Sequence, residues 1–165
     1  DCKIGNDQTD LFYSTRHDLR LQWNYKLNNH LTTRTIGSFI YRWNADSNNE
    51  AGYLLSQHIR HEQMVNHQRG RQRIDFMFTY FHTDSYATKV YTTTPSLLYT
   101  LGMNALYGHG INAIALFSRS LSSKISAICK FSITKYFDRS SIGTGLELIH
   151  SSHREDVQLQ LRWKI

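Results

Sequence analysis

The chain has 165 residues, a net charge of +6 and a mean hydropathy of -0.49. Its length suits one domain, and no shift in composition indicates a linker, so we interpret residues 1–165 as one unit in which residues 1–16 form a leading tail or partial strand. The longest uninterrupted apolar stretch, Ala113–Phe117, is far shorter than the roughly 20 residues of a spanning helix. The cations are scattered along the chain rather than clustered in a run, so nucleic acid is not an expected partner.

The first strand-like segment alternates apolar and polar residues without exception. From Asp18 to Asn28 every odd position is Leu, Trp or Tyr, which is the period of two of a strand with one apolar face. After the turn-like "NNH", a second strand is predicted from Leu31 to about Trp43. The loop "NADSNNE" is rich in residues that hydrogen-bond their own backbone, and a third strand, about Tyr53 to Glu62, follows it.

The same pattern continues to the end of the chain. Further strands are predicted over Arg73–Thr83, Thr88–Thr94, Ile111–Arg119 and Lys124–Phe137, and the closing strand is "DVQLQLRWKI". The fifth strand ends at Pro95, the only proline, which a central strand would not tolerate. No segment between the strands shows a helical period of 3.6 residues.

These segments predict an all-β fold, an antiparallel up-and-down transmembrane β-barrel of about eight strands or the C-terminal part of a larger barrel. Closure removes exposed strand edges, and eight is the smallest common strand number for a spanning barrel. Most predicted strands have about 10 to 12 residues, close to the 9 to 11 that cross a bilayer when tilted. Strands of soluble proteins average about 5 or 6.

The two faces of the predicted strands differ in chemistry. The residues predicted to face lipid are Leu19, Leu21, Trp23, Tyr25, Val157, Leu159, Leu161, Trp163 and Ile165. The polar residues predicted to face the lumen are Arg20, Lys26, Arg34, Arg42, Arg60, Glu62, Asp75, Lys130 and Arg162. Side chains fill an eight-stranded interior, and cations outnumber anions in this set, so either water enters, an anion binds, or the barrel is wider.

Loop lengths and aromatic residues fit the same prediction. If the C-terminus is periplasmic, the regions Asp138–Glu155, Tyr99–Gly110 and Gln63–Gln72 lie outside, while "SLSS", "DSYA" and "NADSNNE" lie inside. Long loops outside and short turns inside are expected for outer-membrane barrels, and only "NNH" breaks the rule. Several Trp, Tyr and Phe residues lie toward strand ends, where interfacial girdles form.

The final third contains the motif "YFDRSSIGTGLELI", Tyr136–Ile149, followed by "VQLQLRWKI". Together with "YFHTDSYATKVY" and "ALYGHG", these segments resemble the C-terminal β-barrel region of Bacteroidota outer-membrane proteins, including those with helix-hairpin-helix domains. The resemblance covers about half the chain and implies a bacterial outer-membrane location for a fragment or short relative of that family. The family usually ends in Phe where this chain has Ile165, and nothing here is similar to its helix-hairpin-helix portion, so DNA binding is not implied.

No pattern of metal ligands or catalytic residues stands out. In "HIRHE", His58 and His61 are an odd number of residues apart and face opposite sides of a strand, so they do not converge on a metal. "HSSH", His150 to His153, has the same spacing in a loop. Gly143 and Gly145 have no following helix to bind phosphate and are predicted to adopt turn conformations with positive φ. We predict no cofactor and no metal, and a catalytic role is less expected than a non-catalytic one.

The sequence therefore predicts an outer-membrane β-barrel protein with a structural, adhesive or porin-like transport role. Its expected partners are membrane lipid and other outer-membrane proteins. One alternative is a soluble up-and-down β-barrel that binds a small apolar ligand and has its apolar residues inside. A second is an outer-membrane rim hydrolase or acyltransferase, which requires a Ser and a His brought together by the outer loops.

Overall fold

The structure is a computed structural model that describes residues 14–44, 48–65, 70–143 and 145–164. Nine strands are described: β1 Ser14–Lys26, β2 Leu31–Asn44, β3 Glu50–Val65, β4 Gly70–Thr83, β5 Val90–Thr93, β6 Met103–Leu106, β7 His109–Ser120, β8 Ile125–Tyr136 and β9 His153–Trp163. Short 3₁₀ turns occur at Tyr86–Thr88 and Gly145–Glu147. The predicted all-β, antiparallel fold class is confirmed. None of the helical segments in the described ranges has the length and apolarity to cross a membrane.

Seven of the nine strands form one antiparallel sheet in the order β1-β2-β3-β4-β7-β8-β9. Every neighbour in this sheet is a neighbour along the chain except β4 and β7, which are joined by residues 84–108. The strands that form it have 11 to 16 residues, so four of the seven are longer than the 10 to 12 residues predicted for most strands. Within the described ranges β1 pairs only with β2, and β9 only with β8, so the sheet is open and the predicted closure is not observed.

The prediction of a sheet strand at Thr88–Thr94 was wrong. Val90–Thr93 forms the short strand β5, which pairs with β6 in a separate two-stranded sheet. Thr88, Val90 and Thr92 alternate correctly for a strand, but they are buried against the polar face of the large sheet. An alternating pattern indicates that one face of a strand is buried, but it does not indicate which part of the chain covers that face or which strand pairs with it.

Residues 84–108, which we call the inner segment, cover the polar face of the large sheet. Val90 and Leu106 of this segment pack with Ile36, Leu54 and Phe81 in one buried apolar cluster. A second cluster joins the segment to β7 and β8, and it consists of Leu97, Leu116 and Ile128. The face predicted to be lumenal and polar therefore carries apolar residues as well. These residues pack against the inner segment and hold it on the sheet.

The inner segment also reaches both edge strands. The Arg16 guanidinium on β1 donates to the Ala87 carbonyl oxygen at 2.9 Å. On β9, the Gln160 side chain accepts from the Leu98 backbone N–H at 2.9 Å and donates to the Leu98 carbonyl oxygen at 3.2 Å. The inner segment therefore spans the polar face of the sheet from one edge strand to the other, and we call this the inward face and the opposite one the outward face.

A glycine on β3 lets the inner segment approach closely. A Cβ atom built at Gly52 would lie 2.5 Å from the Thr88 carbonyl oxygen, too close for any real side chain. Gly37, on the opposite face of β2, has no atom within 4 Å of its virtual Cβ. Only the first glycine is required by a close approach of two backbone segments.

The connections at the two ends of the sheet differ in length, and this corrects the predicted sidedness. The strand register brings the ends of β1, β3 and β7 and the starts of β2, β4 and β8 to one end, which we call the short-turn end. The ends of β2, β4 and β8 and the starts of β3, β7 and β9 lie at the opposite end, which we call the long-loop end. "NADSNNE" and "DSYA" were thus assigned to the wrong end, as was the region Gln63–Gln72, because Thr88–Thr94 was counted as a crossing strand. With seven strands in the large sheet, "NNH" lies at the same end as the other short turns and no longer departs from the expected asymmetry of loop lengths.

Candidate functional site

The strand register separates the predicted lipid-facing and lumenal residues onto opposite faces of the sheet. Lys26, Arg60, Asp75 and Lys130 lie in one row of cross-strand neighbours on the face that the inner segment covers. The other predicted lumenal residues share this face. They are Arg20, Arg34, Arg42, Glu62 and Arg162.

Burial along this polar face is uneven. Asp75 is completely buried, whereas Arg20 and Lys26 on the edge strand β1 are exposed. Edge position explains the difference, because nothing in the described residues covers β1 on its free side. The buried polar side chains of this face therefore lie on β3, β4 and β7 rather than on β1.

The predicted lipid-facing residues are strongly exposed on the other face. Leu21 is 68% exposed, Trp23 74%, Leu159 76% and Trp163 74%. Leu19, Tyr25, Val157 and Leu161 are exposed in the same way. Ile165 lies outside the described residues.

Asp75 is the centre of the charge network on the polar face. Its Oδ1 atom lies 2.7 Å from Arg60 Nε and 2.8 Å from His58 Nε2, and its Oδ2 atom lies 2.8 Å from Arg73 Nε. An ionised carboxylate only accepts hydrogen bonds, so His58 holds a proton on Nε2. His58 and Arg60 hydrogen-bond Oδ1, whereas Arg73 Nε and Oδ2 are close enough for an ion pair but are not aligned for a hydrogen bond. The buried carboxylate is therefore compensated by two hydrogen bonds and by the charge of Arg73, as a buried charge requires.

A cavity of about 710 Å³ opens beside this network at the short-turn end, and we call it the basin. Six basic residues line it: Arg60, Arg71, Arg73, Lys124, Arg162 and Lys164. Six serines also line it, among them Ser118, Ser120 and Ser126. Among the lining residues that the structure describes, Glu62 is the one carboxylate, and it pairs with Arg71.

The strand order gives the basin two basic walls. Arg60, Arg71 and Arg73 lie on β3 and β4, while Arg162 lies on β9 with Lys164 just beyond it. The serines on β7 and at the start of β8 lie between these walls. The basin is therefore a groove with cationic sides and a hydroxyl-rich floor.

Part of the inner segment forms the rim of the basin. Ser96, Leu97, Leu98 and Tyr99 contribute to the lining, and the two hydrogen bonds between Leu98 and Gln160 hold this stretch against β9. Tyr99 has a positive φ of 65° and is 91% exposed. A non-glycine residue in this conformation costs energy, so the surrounding contacts must hold it.

A second, smaller cavity lies toward β1 on the same face. It has a volume of about 300 Å³ and is lined by residues of β1, β2 and β3, including Lys26, Arg34 and His58. Arg34 donates to the Asn24 side chain at 2.9 Å, so part of its bonding capacity is used locally. This cavity shares Arg60 with the basin but has fewer cations.

The long-loop end holds a different group of polar residues. Arg139 donates to both carboxylate oxygens of Asp138, at 3.0 and 2.7 Å, and stacks over the Tyr107 and Tyr136 rings at 4.7 and 4.5 Å. Its hydrogen bonds hold the pKa of the Asp138 carboxyl below the usual value. This arrangement anchors the last loop to the end of the sheet.

The histidine motifs do not form a metal or catalytic site in the part of the chain that the structure describes. His58 and His61 lie on opposite faces of β3, as predicted, and no group of three metal-ligating side chains occurs among the described residues. Ser151 Oγ lies 2.8 Å from His153 Nδ1, but the same oxygen accepts the His153 backbone N–H, which is a local turn. No carboxylate among the described residues hydrogen-bonds His153, whereas a triad needs one. Gly143 and Gly145 have positive φ, as predicted.

Comparison of the chain with protein-family models, with curated proteins and with solved structures finds no match. The resemblance to outer-membrane barrel regions therefore stays a prediction.

Several basin residues were not identified from the sequence. Arg71, Arg73, Lys124 and the Leu98–Gln160 contact became visible only once the strand register was known. A usable signal exists for two of them, because Arg71 and Arg73 both follow the predicted turn and their spacing of two residues puts them on the same face of β4. Nothing in the sequence indicates that β8 and β9 bring further cations to the same end.

Proposed function

We propose that this protein is an outer-membrane β-barrel protein, or part of one, with a structural, adhesive or transport role, in which the apolar face contacts lipid and the polar face surrounds the inner segment. The observation that carries the proposal is the exposure of large apolar side chains on all seven strands of the sheet. Moving one such side chain from water to apolar surroundings is worth about 1.5 to 3 kcal/mol. A bilayer supplies these surroundings for the whole face at once.

The height of the apolar band supports a membrane contact. On β4 the outward residues Ile74, Phe76, Phe78 and Tyr80 are bounded by Gln72 and His82. The apolar residues span six steps of about 3.3 Å, or about 20 Å along the strand, and the polar residues on either side are ten steps, or about 33 Å, apart. At a tilt of roughly 40° these lengths correspond to heights of about 15 and 25 Å, so the polar residues lie near the edges of a band of membrane height. Apolar bands of outer-membrane barrels are about 25 Å tall.

Aromatic residues gather at the long-loop end of this band. The Tyr53 ring lies 6.1 Å from Tyr80 and 5.4 Å from His82, and His109 lies 5.1 Å from Phe137. Tyr80 also hydrogen-bonds His109 at 3.0 Å. Rings with polar atoms favour the boundary between lipid and headgroups, so this cluster supports an interfacial girdle.

One polar group interrupts the apolar face near its middle. Gln57 lies between Thr33 and Thr35 of the neighbouring strand, and Thr35 Oγ1 donates to Gln57 Oε1 at 2.6 Å. Gln57 Nε2 in turn donates to Thr33 Oγ1. Because these side chains bond one another, their cost in an apolar medium is lowered.

The soluble alternative has less support. A soluble barrel with an apolar ligand needs an apolar interior, whereas the basin on the inward face is lined mainly by cations and serines. It would also leave Leu21, Trp23, Leu159 and Trp163 in water.

A charge placed on each face tests the proposal. Leu21→Arg puts a cation on the apolar face of β1, and Gln22→Arg puts the same cation on the polar face, opposite the uncharged Ile36. Arginine at the middle of the lipid-facing surface costs about 2 to 4 kcal/mol. We expect Leu21→Arg to abolish or strongly reduce folding into phosphatidylcholine vesicles, measured by flotation and by β-sheet circular dichroism, while Gln22→Arg folds like the parent. Equal insertion of both variants, or a parent that stays folded and soluble without detergent or lipid, would contradict the proposal.

A further inference from the structure

The basin carries more positive charge than the described carboxylates compensate. Glu62 is paired with Arg71, and Asp75 is paired with Arg60 and Arg73. Among the residues that the structure describes, no carboxylate lies within 4.0 Å of Lys124 or Arg162. Two carboxylates therefore face six basic side chains in and behind the lining.

Two of these cations are placed opposite each other. Ile125 pairs with Trp163 across β8 and β9, and the Lys164 backbone N–H donates to the Lys124 carbonyl oxygen at 2.8 Å. The two lysines are thus direct cross-strand neighbours. Like charges in this arrangement are destabilising unless an anion lies between or near them.

The donor chemistry of the basin fits an oxyanion. A guanidinium presents a planar fork of N–H groups that matches phosphate oxygens, and lysine supplies a compact positive charge. Serine hydroxyls, such as those of Ser118, Ser120 and Ser126, add neutral donors on the floor. An apolar or cationic ligand finds few matching groups here.

The charge balance of the basin decides how many anionic groups the ligand has. The six basic side chains of the lining exceed the two carboxylates that pair with them by four charges. One phosphate group carries about two negative charges near neutral pH. A ligand that balances the excess positive charge therefore carries more than one phosphate group.

We propose that the basin binds a small anion with two or more phosphate groups, held between Arg60, Arg71 and Arg73 on one side and Lys124, Arg162 and Lys164 on the other. The site depends on the sheet register and the inner segment, and it does not depend on contact of the outer face with lipid. The phosphate groups come either from a free polyphosphorylated compound or from clustered lipid headgroups, because both present the same oxyanion.

The test is titration calorimetry of the folded full chain in zwitterionic detergent micelles with sodium tripolyphosphate. The double variant Lys124→Gln/Arg162→Gln removes the two basin cations without a described carboxylate partner. The control Arg20→Gln/Lys135→Gln removes one arginine and one lysine outside the basin, so the net charge changes equally. If the chain is soluble without detergent, the same titration runs in buffer, so failure of the membrane proposal leaves this test intact.

We expect the parent and the control to bind tripolyphosphate with affinities within about twofold of each other. The basin variant binds at least 10-fold more weakly while its circular dichroism stays that of the parent. Displacement of tripolyphosphate by short-chain phosphatidylglycerol identifies lipid headgroups as the source, and absence of displacement identifies a free compound. No binding by the folded parent, or an equal loss in the basin and control variants, would overturn the proposal.

Discussion

Replacing Asp75 by Asn tests whether the buried charge network holds the inward face together. The carboxylate is completely buried and lies 2.7 to 2.8 Å from donor atoms of His58, Arg60 and Arg73. Asn keeps the shape but removes the negative charge, so two guanidinium groups and the His58 ring remain around a neutral amide. Breaking a fully buried ion pair by removing one partner costs about 3 to 5 kcal/mol.

The expected loss of stability is smaller than this value because water reaches the side chains of Arg60 and Arg73. The Arg60 and Arg73 side chains are 35% and 28% exposed, so hydration offsets part of the uncompensated charge. We expect Asp75→Asn to lower the free energy of unfolding by about 2 to 4 kcal/mol. The control is Asp156→Asn, which removes a carboxylate 3.1 Å from Arg154 in an exposed pair, and such pairs are worth about 0 to 1 kcal/mol.

Guanidinium unfolding of the parent and both variants in detergent micelles, followed by tryptophan fluorescence, measures these differences. The reasoning is refuted if Asp75→Asn and Asp156→Asn have the same midpoint and slope as the parent. A large loss in both variants would also refute it, because the effect would then follow net charge rather than burial.

Three further predictions concern the inner segment and the long-loop end. Gly52→Ala places a Cβ atom 2.5 Å from the Thr88 carbonyl oxygen and is expected to lower stability by about 1 to 3 kcal/mol, whereas Gly37→Ala, with nothing within 4 Å, is neutral or stabilising in the same unfolding assay. Gln160→Ala removes both bonds to Leu98 and is expected to speed hydrogen exchange of the Leu98 amide without changing exchange at Thr92. The pKa of Asp138 is lower folded than unfolded, so its contribution to stability is present above the unfolded value and is lost as the pH falls through the folded value. Thermal melts between pH 7 and 3 should therefore show a smaller drop for Asp138→Asn than for the parent, and parallel curves would contradict the assignment.

The sequence predicted the strands well because their alternation reports a local property. Leu19 to Tyr25 and Val157 to Trp163 alternate over whole strands, and the structure puts each set on one face of its strand. The same rule misassigned Thr88–Thr94, since a short strand buried beneath a sheet has the same period as a strand within it. One misassigned crossing then reversed the predicted ends of "NADSNNE" and the region Gln63–Gln72.

The basin could be predicted only in part. Arg60 and Arg162 were placed on the inward face from alternation alone, and the excess of cations there was visible in the sequence. Their convergence depends on the order of strands separated by about 100 residues, which local patterns do not encode. The Asp75 contacts likewise depend on the cross-strand register of β3 and β4.

The central claim is that the outward face of the sheet touches hydrocarbon, and a spin-label scan of β9 tests it most directly. Single cysteines are placed at each of residues 157–162 in a chain whose Cys2 and Cys129 are replaced by serine, and the labelled proteins are folded into vesicles. The account predicts that collisions with oxygen, which concentrates in lipid, peak at Val157, Leu159 and Leu161 and fall at the residues between them. Collisions of these three labels mainly with a water-soluble nickel complex, or no alternation along the strand, would contradict it.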